Sequence, residues 1–149
     1  EKMEGILMRG ADARSVAAAW SDSSLNRCRR FWQNSAGRAK DYALSKDIER
    51  VDVFVSHSWS PPENWKLVMG EEIDYANVKT TQLAVVAKDV ALMKFNNLED
   101  WGDATFWVDK ACIPQDDATL KQQCISLIES FIKRSDRVCV LFTWSYLER

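Results

Sequence analysis

The chain has 149 residues, 46% of them hydrophobic, and its 20 basic and 22 acidic side chains give a formal charge of -2. This length supports one domain with a core of its own and is short for two. The near-balance of charge gives no electrostatic reason to expect nucleic acid or an anionic membrane surface as partner. No run approaches the roughly 18 apolar residues of a membrane span, and the first segment lacks the pattern of a secretory leader.

Cys28, Cys112, Cys124 and Cys139 show no metal-knuckle spacing and sit among apolar residues. They read as reduced core thiols, which implies a cytoplasmic compartment. Seven tryptophans and six phenylalanines make a heavy aromatic load, and most of these rings are expected in the core. The start at Glu1 and the stop at Arg149, directly after an apolar run, lead us to expect a fragment.

From residue 11 to 46, Val16, Ala19 and Trp20, then Cys28, Phe31 and Trp32, recur at helical spacing. Residues 1–50 are therefore expected to be a helical N-terminal extension, its second helix starting near Asp22 or Ser23. Val51 to Ser56 (VDVFVS) is β-branched and aromatic, the signature of a buried strand. Ser60, Pro61 and Pro62 end it, and the polar stretch through Asn77 reads as a long loop. Leu83, Val86, Ala87, Val90, Ala91 and Lys94 then form a helical stripe closed by Asn96 and Asn97. Thr105 to Asp109 repeats the strand signature, and Pro114, Asp116 and Asp117 mark a loop, one of the acids capping the next helix. Residues 118–133 carry Leu120, Cys124, Leu127, Ile128, Phe131 and Ile132 on one face, and Arg137 to Thr143 is a third buried strand. Strand, helix, strand, helix, strand is the pattern of an α/β fold with a parallel sheet and right-handed crossovers. No Gly-rich loop follows any strand, so Rossmann and P-loop readings are disfavoured.

Three pieces in this order, VDVFVSHSWS at 51–60, FWVDKACIPQDD at 106–117 and DRVCVLFTWSYLER at 136–149, together resemble the Toll/interleukin-receptor (TIR) superfamily. Asp52, Phe54 and Ser56 fit the first strand of that family, Asp109 the end of its second, and Thr143 to Leu147 the end of its third. The pairing of SHSW with WxDKxCI looks like a divergent TIR-like branch of protists and algae. WVDKACIPQDD is also similar to the fungal heterokaryon-incompatibility domain. The resemblance covers the chain from Val51 onward, and residues 51–149 are expected to be a partial TIR-like domain, flavodoxin-like and cut off after its third strand. The long loop between Trp59 and Lys79 departs from the family pattern.

The resemblance implies either a signalling module that acts by self-association or partner binding, or hydrolysis of the glycosidic bond of NAD, with NAD as substrate. In catalytic members a glutamate follows the third strand. Glu129 lies on the preceding helix and Glu148 comes too early, so such a glutamate would lie beyond Arg149. TIR-like sheets place the first strand between the second and third, and ligands of open parallel sheets bind at carboxyl strand ends. The candidate rim is thus Ser56, His57, Trp59, Asp109, Lys110 and Trp144. His57, the one histidine, either bonds a ribose or phosphate or caps loop backbone. Trp59 and Trp144 either stack on a nicotinamide or adenine ring or close the top of the core. Asp109 and Lys110 either orient a substrate hydroxyl, pair with each other, or form a solvated strand end. Cys112 is read as packing, because a nucleophile needs a nearby base. An unpaired third strand would also leave the chain prone to aggregate.

Overall fold

The computed structural model describes residues 7–19, 24–33 and 37–144. Its strands are β1 (Arg9–Asp12), β2 (Ser45–Asp47), β3 (Val51–Ser56), β4 (Thr105–Trp107) and β5 (Ser135–Val140). The helices are α1 (Ala13–Val16), α2 (Leu25–Trp32), α3 (Ala39–Tyr42), α4 (Trp65–Met69), α5 (Tyr75–Lys94), α6 (Asp109–Cys112), α7 (Ala118–Ser126) and α8 (Ile128–Lys133). The fold is α/β. One sheet runs in the order β2-β1-β4-β3-β5. Its centre is parallel and flavodoxin-like, with β3 between β4 and β5 as expected, while β1 pairs antiparallel with both β4 and β2.

The first fifty residues are not a purely helical extension. Residues 9–12 and 45–47 are strands of the main sheet, and Leu7, Met8, Ala11, Val16, Phe31 and Trp32 belong to its core. Nothing in RGAD or SKD alternates like a strand, because what makes them strands is the partner edge offered by β4. Gly10 is required there: a Cβ would lie 2.7 Å from Val51 Cγ1. Helix α2 begins at Leu25, and the expected starts at Asp22 or Ser23, like Trp20, lie outside the described residues.

β3 is VDVFVS as read from the sequence, buried from Val51 to Val55. Asp52, 4% exposed, is a deliberate charge in that core. Its Oδ2 accepts from the Thr105 amide at 2.8 Å and the Thr105 hydroxyl at 3.1 Å, and its Oδ1 from Lys94 Nζ at 3.0 Å. The aspartate that supports the TIR resemblance thus ties β3 to β4 and to α5, satisfying a charge that would otherwise be costly to bury. On the same face, Phe54 stacks on Trp107 at 4.5 Å, and Trp107 meets Phe131 of α8 at 5.8 Å.

α5 starts earlier than the sequence stripe indicates. Asp74 caps it by accepting from the Ala76 amide at 2.8 Å, so Tyr75 to Asn77 is helix instead of loop. It ends at Lys94, and Asn96 two residues on, with a φ of 54°, turns the chain away from the helix. The helix expected over 118–133 is capped by Asp117, which accepts from the Leu120 amide, as read. It is split in two at Leu127, where the Leu127 amide bonds back three residues to Cys124 and the Ser126 hydroxyl takes the Gln123 carbonyl. β5 is not buried on both faces: Val138 is 49% and Val140 44% exposed, alternating with half-buried Arg137 and Cys139.

Candidate functional site

The carboxyl ends of β3 and β4 deliver two segments to one place, Ser56 to Trp59 and Asp109 to Lys110. Asp109 is their hub. Its Oδ2 accepts from Trp59 Nε1 at 3.0 Å, its Oδ1 from the Lys110 amide at 2.8 Å, and His57 Nε2 lies 3.5 Å from Oδ1. Burial pushes the Asp109 carboxyl pKa up, but His57, the Trp59 indole and the Lys110 amide outweigh burial and hold it below the ordinary range. The His57 side chain is only 2% exposed, and its Nδ1 lies 3.3 Å from the Ser58 carbonyl. His57 therefore caps loop backbone while facing a carboxylate, which fixes the orientation of the ring.

Trp32 of α2 is the residue that organises the aromatic side. Its indole donates to the Val16 carbonyl at 2.6 Å, its ring stacks on Trp59 at 5.5 Å and it meets His57 edge-on at 5.0 Å. Lys79 of α5 is enclosed by these rings, with its Nζ 4.6 Å from the Tyr75 centroid, 4.9 Å from Trp59 and 5.2 Å from Trp32. It donates to the Ser58 carbonyl at 3.1 Å and is 1% exposed. Desolvation lowers its pKa to about 7, against the opposing pull of Asp109 and with the repulsion of Lys110. Lys110 is buried too, donating to the Phe31 and Gln33 carbonyls at 2.8 and 3.3 Å, so it closes the end of α2. Desolvation also lowers its pKa.

The six residues read as a rim separate into two groups. His57, Trp59, Asp109 and Lys110 meet. Trp144 does not join them: its ring stacks on Trp65 at 5.7 Å and its indole donates to the Glu63 carbonyl at 3.1 Å. Ser56 is spent on the sheet, where its carbonyl accepts from the Leu141 amide at 2.9 Å. A cavity of about 380 Å³ opens beside Trp144, walled by Trp65, Tyr75, Lys79, Leu141 and Thr143. Trp59 is stacked on Trp32, with the Lys79 and Lys110 ammoniums within about 5 Å of its ring, and its remaining surface lines a cavity of about 410 Å³ shared with Trp65 and Tyr75. Cys112 is fully buried with its thiol pushed up to about 12 by desolvation, which fits packing and not attack.

Lys79 and Tyr75 were not picked out from the sequence, and Trp32 was read there only as part of a helical stripe. The available signal was the helix stripe itself: Tyr75, Ala76, Lys79, Thr80 and Leu83 share a buried face of α5, so a lysine stands where the pattern calls for an apolar residue.

The fold and the site together define an α/β domain with a buried aromatic and cationic cluster at the carboxyl ends of its central strands. The chain belongs to the heterokaryon incompatibility (HET) family, whose model matches residues 53–145, more than half of it. That match starts inside β3 and takes in Trp59, Lys79, Asp109 and Lys110, while Trp32, β1 and β2 precede it. No curated protein matches the chain, and no solved structure does either.

Proposed function

We propose that this HET-family chain is a TIR-like signalling module that acts by self-association or partner binding, with the outer edge of β5 as its contact surface. One observation carries this reading. Among the described residues β5 is the last strand of the sheet and pairs only with β3, and Val138 and Val140 stand exposed on it at 49% and 44%, with Phe142 just beyond it at 62%. An unpaired strand edge with an apolar face is a template for adding another strand, and two copies related by a twofold axis would satisfy each other's backbone groups. The test is sedimentation equilibrium of the chain and of Val140→Lys over a roughly hundredfold range of concentration. A dimer that Val140→Lys converts to monomer supports the reading. A chain that stays monomeric throughout, or a dimer indifferent to the substitution, overturns it.

NAD hydrolysis is the enzyme alternative. What favours it is the aromatic-walled cavity beside Trp144, at the carboxyl ends of β3 and β5, where the direction of the crossovers reverses. Release of nicotinamide from NAD by the full-length protein, lost in Trp144→Ala, would support that activity. No release from folded protein removes it.

A further inference from the structure

A second cavity, of about 490 Å³, lies between α2, α3 and α6. Its volume is in the range of small-molecule sites. Among the described residues Arg27, Arg30, Arg38, Lys40 and Lys110 line it, against a single carboxylate, Asp41. A chain with a net charge of -2 thus gathers five cationic side chains around one concavity. Arg27, Arg30, Arg38 and Lys40 pair with no acid among the described residues. Asp41 is itself occupied, its Oδ2 accepting from the Arg38 amide at 2.9 Å. The mutual repulsion is felt at Lys110, whose pKa is lowered first by desolvation, with Asp41 opposing and Arg38 and Lys40 adding to the fall. Five cations against one carboxylate leave an excess of like charge that destabilises a fold, and that cost is typical of a site made for something else.

We propose that this cavity binds a small phosphate ester bearing at least two negative charges, its phosphates among the arginines and its organic part against Phe31 and Leu44. Both of those apolar side chains line the same space, Phe31 buried and Leu44 38% exposed. Guanidinium groups suit such a ligand because each presents a planar fork of donors that matches two phosphate oxygens. Asp41 repels a phosphate but accepts from a hydroxyl, which favours an ester of a polyol or sugar over inorganic phosphate alone. The site is independent of the β5 contact: α6 packs on β1 and β2, at the opposite edge of the sheet, and α3 packs on α6.

Calorimetric titration of the full-length chain with ADP, with inorganic pyrophosphate and with adenosine tests the proposal. ADP is expected to bind most tightly, pyrophosphate more weakly and adenosine not at all, with ADP affinity falling steeply as salt is raised. Arg38→Glu and Arg30→Glu, both at exposed positions, are each expected to weaken ADP at least about tenfold, the loss of roughly one charged phosphate contact, while leaving the circular dichroism unchanged. Failure of ADP and pyrophosphate to bind folded protein at low salt overturns the assignment. So does unaltered affinity in both variants. Binding of a single-stranded oligonucleotide that ADP does not displace would replace the small ester by nucleic acid and equally overturn it.

Discussion

Lys79 turns the aromatic cluster into a quantitative test, because a lysine whose pKa falls on folding leaves a signature in the pH dependence of stability. Its pKa drops from 10.5 to about 7 on desolvation. At 1.36 kcal/mol per unit, holding it charged in the fold costs about 5 kcal/mol relative to the unfolded chain. Below about pH 7 both states carry the proton and the whole penalty is present. Between about 7 and 10.5 the unfolded chain is protonated and the folded one is not, so stability rises with pH. Lys79→Met keeps the length of the side chain and removes the titration. The Ser58 carbonyl would still accept from Tyr75 Oη, 3.0 Å away, so no buried acceptor is orphaned. The stability of wild type minus that of Lys79→Met, from urea unfolding, should rise by about 2–3 kcal/mol between about pH 7.5 and 9.5 and be flat below about pH 6. Other groups titrating in that window are common to both proteins and cancel. A difference that stays constant across the window would mean that Lys79 keeps its proton, and that the rings and the Ser58 carbonyl compensate its burial.

At Asp109 the sign is opposite. The carboxyl pKa is held low in the fold, so its contribution is present above the ordinary carboxylate pKa and is lost as pH falls through the folded value. Asp109→Asn should therefore lower the urea midpoint at pH 7 and approach wild type only as the pH falls below the ordinary carboxylate range. A gap of equal size at pH 7 and below that range would show that the charge does not hold the cluster. Gly10→Ala places a methyl 2.7 Å from Val51 Cγ1 and 3.1 Å from Ile48 Cγ2. This overpacking should cost about 1–3 kcal/mol in thermal unfolding, and a neutral result would mean that the Val51 and Ile48 side chains give way freely.

The parallel centre of the sheet was legible because β-branched runs such as VDVFVS and the Asp117 cap carry their structure locally. β1 and β2 were not, since Gly10, Asp12, Lys46 and Asp47 have no strand preference and gain it from pairing. The apolar run of β5 reads the same whether one face or two are covered, so its exposed Val138 and Val140 could not be foreseen. The meeting of His57, Trp59, Asp109 and Lys110 followed from placing them at adjacent strand ends. The separation of Trp144 did not, because the strands set only where a segment leaves the sheet. Helix α4 and its Trp65 decide which way the tryptophan turns.

The pairing of Ala11 with Phe106 also constrains how the protein is made and how it can be cut. β1 leaves the ribosome long before its partner β4 exists, so the central sheet closes late and the early strand must wait for it. A piece excised at the family-model boundary, residue 53, would lose β1, β2, Trp32 and the first two residues of β3. It would bare the β4 edge and uncap the cage around Lys79. The stretch that looks least like the family is thus a part of the domain that an expression design cannot trim.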